Sequence, residues 1–157
     1  MSLWRKLCKI LIKSQHRTEP RQFVLADLSP KNIGRDTDNN PTICDLDAFC
    51  KGNLEYALSF LPGHLLLHTM GDSNSAHQLI MGLLKGYAEV LPVVDFDSPL
   101  FKKLTLGAVL YRLRNDVIPY NLSLPEATKI EKTKIAFDLL SLENPSWELI
   151  IYTLTSA

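Results

Sequence analysis

Apolar residues follow two different rhythms along this chain. Leu3, Trp4, Leu7, Ile10 and Leu11 recur at helical spacing, which predicts an amphipathic helix ending near Gln15. Pro20 then closes the connection to a region of short apolar runs. Phe23 to Leu25, Ile33 to Arg35 and Pro41 to Cys44 read as strands, and the polar run Asp36 to Asn40 reads as a hairpin turn between the last two. Helical spacing returns from Asn53 to His68, with Leu54, Ala57, Leu58, Leu61 and Leu65 on one stripe. Pro62 interrupts that stripe and predicts a kink or break. Gly71 to Asn74 marks a turn, after which Ser75 and Gln78 offer a capping box for a helix ending before Pro92. A third helical pattern starts at Pro99, capped by Ser98 or Asp97, with Leu104, Leu106, Val109, Leu110 and Leu113 inward. Asn115 to Leu124 reads as a loop. Ser123, Pro125 and Glu126 open a helix through Ile130, Ile135, Leu139 and Leu140. Pro145 and Ser146 open a last one through Trp147, Leu149, Ile150 and Leu154. The expected fold class is α+β and mostly helical: a small β-meander packed with about five to six helices, in a single domain over residues 1–157.

Composition narrows the class of partner. The 157 residues are 46% hydrophobic and 22% charged, as in a soluble globular domain with a sizeable core. Lys plus Arg and Asp plus Glu balance at 17 each, which gives no electrostatic case for nucleic acid or an acidic membrane. Arg5, Lys6, Lys9, Lys13, Arg17 and Arg21 crowd the start of the chain and read as a solvated helix face. A membrane-surface helix is the alternative for that segment. No apolar run reaches the roughly 18 residues needed to span a bilayer. Cys8, Cys44 and Cys50 are odd in number and lack metal spacing with His, so reduced, buried thiols in a cytoplasmic protein are expected.

The candidate chemistry lies in the strand region. The predicted meander brings Asp27, Asn32 and Asp45 to one edge of the sheet, and two carboxylates with an amide oxygen suit Mg²⁺. Singly, each residue has a plainer role: Asp27 as a turn cap, Asn32 as a loop amide, Asp45 as a strand end. His64 and His68, four apart on a helix, could form a metal pair, though packed or surface histidines explain them as well.

The segment Asp27-Leu28-Ser29-Pro30-Lys31-Asn32, followed thirteen residues later by Asp45-Leu46-Asp47, resembles the catalytic loop and metal-binding segment of the kinase superfamily. Asp47, where protein kinases carry Gly, makes it more similar to the aminoglycoside phosphotransferase and choline kinase branch. Gly52 to His68 is similar to the helix that follows there. The resemblance implies a kinase-like C-terminal lobe, probed from one helix before the catalytic loop onward, with the N-terminal lobe absent. It also implies ATP and Mg²⁺ as cofactors and transfer of the ATP γ-phosphoryl group to a small-molecule hydroxyl. Asp27 takes the place of the base, and Asn32 and Asp45 those of the metal ligands. Asp47 is expected to be turned away from them by strand alternation. Leu25 stands where the family has His, Ala26 where it has Gly or Arg, and Ala57 where it has a structural Asp. These departures and the missing Gly-rich loop imply a chain inactive by itself, partnered by an upstream lobe or by its own copies. The alternative is a non-catalytic interaction domain built on the same lobe.

Overall fold

Strand β1 (Gln22–Leu25) pairs antiparallel with β4 (Phe49–Gly52), and between them the chain makes a separate hairpin of β2 (Ile33–Arg35) and β3 (Pro41–Ile43). The computed structural model describes residues 22–114 and 124–156, so the first expected helix, Cys8 and residues 115–123 of the expected loop lie outside the described residues. Two single turns of 3₁₀ helix, Pro30–Asn32 and Leu46–Ala48, join the two ladders. The α+β, mostly helical class holds. The strands, however, form two two-stranded sheets rather than one continuous meander, because β4 closes on β1 and leaves the hairpin to pair only with itself.

The hairpin turn expected at Asp36 to Asn40 is built by Asp36. Its Oδ1 accepts from the backbone N–H of Asp38 (2.9 Å) and of Asn40 (2.8 Å). Asn39 takes φ 66°, a left-handed conformation that Asn tolerates better than most residues. In the other ladder Val24 points inward and is buried, while Phe23 and Phe49 face solvent at 65% and 57% exposure. Their rings stack at 5.5 Å, with the Lys51 ammonium over Phe23. An exposed aromatic pair of this kind favours association. Sedimentation of the native chain should show concentration-dependent self-association that Phe49→Glu reduces. A native chain that sediments as a monomer at every concentration would contradict this.

Helix α1 (Leu54–His68) begins at Asn53, whose Oδ1 accepts from Tyr56 N–H at 2.9 Å. It runs unbroken through Pro62, so of the kink or break expected there the break does not occur. The residues from Ser59 to His64 are all buried, and this enclosure holds the helix together despite the missing N–H. Helix α2 (Ser73–Val90) starts three residues earlier than expected: Asp72, not Ser75, is the cap, accepting from Ser75 N–H at 3.0 Å. Helix α3 (Pro99–Arg114) starts as expected, with Ser98 Oγ accepting from Phe101 N–H. Helices α4 (Glu126–Ser141) and α5 (Trp147–Thr155) complete the described chain, α5 being capped by Ser146. On α4 and α5, Ile130 and Leu149 are exposed, whereas Lys132 and Ile151 are buried. Lys132 turns in because its ammonium donates to Ser156 O at 2.7 Å.

The core joins all five helices, α4 through Ala136 and Leu139, with Phe101 edge-on to both Phe96 and Trp147. Trp147 Nε1 donates to Phe96 O at 3.1 Å. Helices α1 and α3 make the most extensive pairing. Gly63 permits it: a Cβ there would stand 2.9 Å from Ala108 Cβ and 3.2 Å from Thr105 O. Gly63→Ala should therefore destabilise the domain by about 1–2 kcal/mol, overpacking outweighing the helix propensity gained. Gly82→Ala and Gly86→Ala, where the added methyl meets nothing within 4 Å, should stabilise it by roughly 0.5–1 kcal/mol. Chemical denaturation of the three variants measures both signs.

Candidate functional site at the turn after the first strand

Asp27 sits in the turn that leaves β1, and Asn32 ends the 3₁₀ turn that follows. Three backbone links join the segments. Ala26 N–H donates to Ala48 O at 3.1 Å, Asn32 N–H to Ser29 O at 3.0 Å, and Cys44 N–H to Asn32 O at 2.9 Å. The buried Asn32 side chain then donates from Nδ2 to Asp27 O at 3.4 Å. That bond orients the amide and leaves Oδ1 as its acceptor end. Residue 45 comes directly after Cys44, so the link between Asn32 and Cys44 brings the Asn32 and Asp45 backbones close. Asp45 takes φ 62° and ψ 66°. A non-glycine residue in this left-handed conformation stores strain, of order 1 kcal/mol. The chain here turns from β3 into the second 3₁₀ turn. Asp47 lies in that turn rather than on a strand, so strand alternation does not set its direction.

The carboxylates are met by cations from this chain. Arg112 of α3 donates from Nη2 to Asp27 Oδ1 at 2.5 Å, and His64 Nε2 of α1 lies 3.9 Å from the same oxygen. Lys31 Nζ lies 3.6 Å from Asp45 Oδ2. The Arg112 side chain is 6% exposed and that of Asp27 40%, so a buried guanidinium meets a carboxylate that water still reaches. His64 is 7% exposed, and its Nε2 has no hydrogen-bond partner. Burial is the main reason its pKa drops to about 4. Arg112 adds to the effect, and the Asp27 charge opposes it. Ser29 Oγ, in the loop between Asp27 and Asn32, is likewise buried without a partner. Burial also raises the pKa of Tyr56, with smaller contributions from Tyr111, Cys50 and Asp27.

Comparison with family models, with curated proteins and with solved structures finds no match to this chain. Asn32 and Asp45 offer an amide oxygen and a carboxylate, hard donors that suit Mg²⁺ when phosphate and water complete the shell. Among the described residues no three His, Cys, Asp or Glu side chains converge as a metal cage. His64 and His68 stack at 6.4 Å between ring centroids, and His64 faces Asp27. Cys44, just past the end of β3, and Cys50, in β4, are exposed rather than buried as expected.

The linear sequence singled out Asp27, Asn32 and Asp45 but missed Arg112 and His64 as partners of Asp27. One signal was available. Both are polar residues set among apolar neighbours, His64 within Phe60 to Leu67 and Arg112 beside Val109, Leu110 and Leu113.

Proposed function

We propose that this domain is the carboxylate-bearing lobe of an aminoglycoside-phosphotransferase-like small-molecule kinase, whose complete form transfers the ATP γ-phosphoryl group to a hydroxyl. The observation that carries this reading is the linkage of the two loops at Asn32, whose side chain donates to Asp27 O and whose carbonyl accepts from Cys44 N–H, next to the left-handed Asp45. Asp27 would orient the acceptor hydroxyl and take its proton. Asn32 and Asp45 would hold Mg²⁺, which supplies neutralisation of the charge that develops on the phosphate oxygens. Asn32 keeps its amide oxygen available by donating from Nδ2 to the backbone, and Lys31 would yield Asp45 to the metal.

Phosphoryl transfer depends chiefly on positioning and charge stabilisation. The described residues contain no Gly-rich phosphate loop. The chain alone, given Mg²⁺, radiolabelled ATP and a panel of small alcohols and amino sugars, is accordingly expected to give no measurable transfer. Supplied with an ATP-binding lobe carrying such a loop and a strand Lys, it should gain transfer. Asp27→Asn should then abolish it and Asp47→Asn should weaken it less. Reconstituted transfer that survives Asp27→Asn would remove Asp27 as the base.

A second reading is favoured by one feature of the site. Each candidate carboxylate already has a cation of this chain beside it, Arg112 for Asp27 and Lys31 for Asp45. A site balanced in this way suits a non-catalytic interaction domain on the same lobe. Calorimetry separates the two: Mg²⁺-dependent ATP binding that Asp45→Asn abolishes belongs to the kinase reading, and no binding with the ATP-binding lobe present belongs to the second.

A further inference from the structure

Three side chains from three parts of the fold meet at one oxygen atom. Asp27 comes from the turn after β1, His64 from the middle of α1, and Arg112 from the last turn of α3. Among the described residues, both contacts to the carboxylate fall on Oδ1, from Arg112 Nη2 at 2.5 Å and His64 Nε2 at 3.9 Å. The close approach of α1 and α3 at Gly63 lets His64 and Arg112 reach the same oxygen.

We infer that Arg112 and His64 are positioning residues that seat the Asp27 carboxylate by Oδ1 from the helical layer, leaving Oδ2 to meet the hydroxyl of an alcohol acceptor. The inference deepens the phosphotransferase reading and rests on it for the identity of the acceptor. A carboxylate rotates about its Cβ–Cγ bond, and a base has to present one oxygen along the line of the attacking hydroxyl. A guanidinium held on one oxygen by a charge-assisted bond restricts that rotation. A neutral imidazole packed behind the same oxygen excludes water from that side without bringing a second positive charge. The seat thus has room for one cation, and Arg112 fills it. The charged and titratable groups acting on His64 fit this arrangement: Arg112 of α3 and His68 of its own helix disfavour its protonation, and Asp27 favours it.

Imidazole NMR titration of the full chain tests the seat without ATP or acceptor, so its outcome is independent of whether transfer is ever observed. The His64 resonance is the one missing from His64→Gln. In the native chain it should titrate near pH 4. Arg112→Met should raise its proton affinity by about tenfold or more, because His64 then becomes the cation facing Asp27. Adding Asp27→Asn to Arg112→Met should take back most of that rise. Arg112→Lys, which keeps the charge and also checks folding, should leave the midpoint low. An unmoved His64 in Arg112→Met, a rise that persists in full in the double variant, or an equal rise in Arg112→Lys would overturn the inference. If the seat titrates as described and reconstituted transfer is still absent, the phosphotransferase reading fails and the seat remains.

Discussion

Asp27→Asn should lower the free energy of unfolding by about 2–3 kcal/mol, whereas Arg112→Met should lower it by about 1 kcal/mol or less. The asymmetry follows from burial. Arg112 is enclosed, and the carboxylate it meets is partly exposed. Replacing Asp27 by the neutral amide removes an opposing charge from a guanidinium in a low-dielectric place. The penalty of a buried charge is then less well offset. The reverse change leaves a carboxylate that water can solvate, and the Met side chain refills much of the space of the Arg stem. The usual 3–5 kcal/mol for breaking a fully buried pair is reduced here because solvent screens Asp27. Urea denaturation of both variants with the native chain provides the comparison. Equal losses, or a larger loss in Arg112→Met, would mean that the pair is held chiefly by packing of the Arg stem.

Acidification should destabilise the fold well above the range in which ordinary carboxylates titrate. His64 has a folded pKa of about 4 against an ordinary value of 6.5. Since the folded value is the lower one, the unfolded chain takes up the proton first. Stability is therefore unaffected above pH 6.5, falls as pH drops from about 6.5 to about 4, and levels off below that for this group. The full effect is at most about 3 kcal/mol. Asp36 and Asp72 also have altered values, but theirs are lowered from 3.8 by hydrogen bonds from Asn40 and from Ser75. Their contributions are lost only below about pH 4, so the two effects fall in different windows. Denaturation midpoints measured from pH 7 to pH 4 should decline in the native chain and stay nearly flat in His64→Gln. A decline of the same slope in His64→Gln would assign the acid sensitivity to another group.

Local chemistry made much of this fold legible. The Asp36 turn, the Ser98 and Ser146 caps and the apolar face of α3 were all readable from residue type and spacing, because each depends on neighbours within a few positions. The misreadings share a different cause. Pro62 predicted a break by its local chemistry, but burial of the surrounding helix overrode it. Phe49 to Gly52 mixes two apolar residues with Lys51 and Gly52 and shows no apolar run, and only pairing with β1 makes it a strand. Cys44 looked like a core residue in an apolar run, yet it follows a strand whose residues are all exposed and is itself exposed. At the site, the Asp27 to Asn32 spacing was visible because the loop is contiguous. The Arg112 contact bridges 85 positions and depends on how α1 and α3 cross, which spacing along the chain does not encode.

The last helix imposes an order on biosynthesis. Ile150, Ile151 and Leu154 of α5 are fully buried, and Gly71 N–H, in the turn between α1 and α2, donates to Thr155 O at 2.7 Å. The core that α1 and α2 share with α5 therefore cannot close until residues 147–155 have left the ribosome. At the usual pace of about 5–20 residues per second, the nascent chain spends several seconds with its central helices uncovered. Contacts that distant in sequence also slow folding in solution. In cells, this interval is when the domain most needs a chaperone. Ribosome-stalled chains ending before Trp147 should be far more sensitive to protease than chains in which α5 has cleared the exit tunnel.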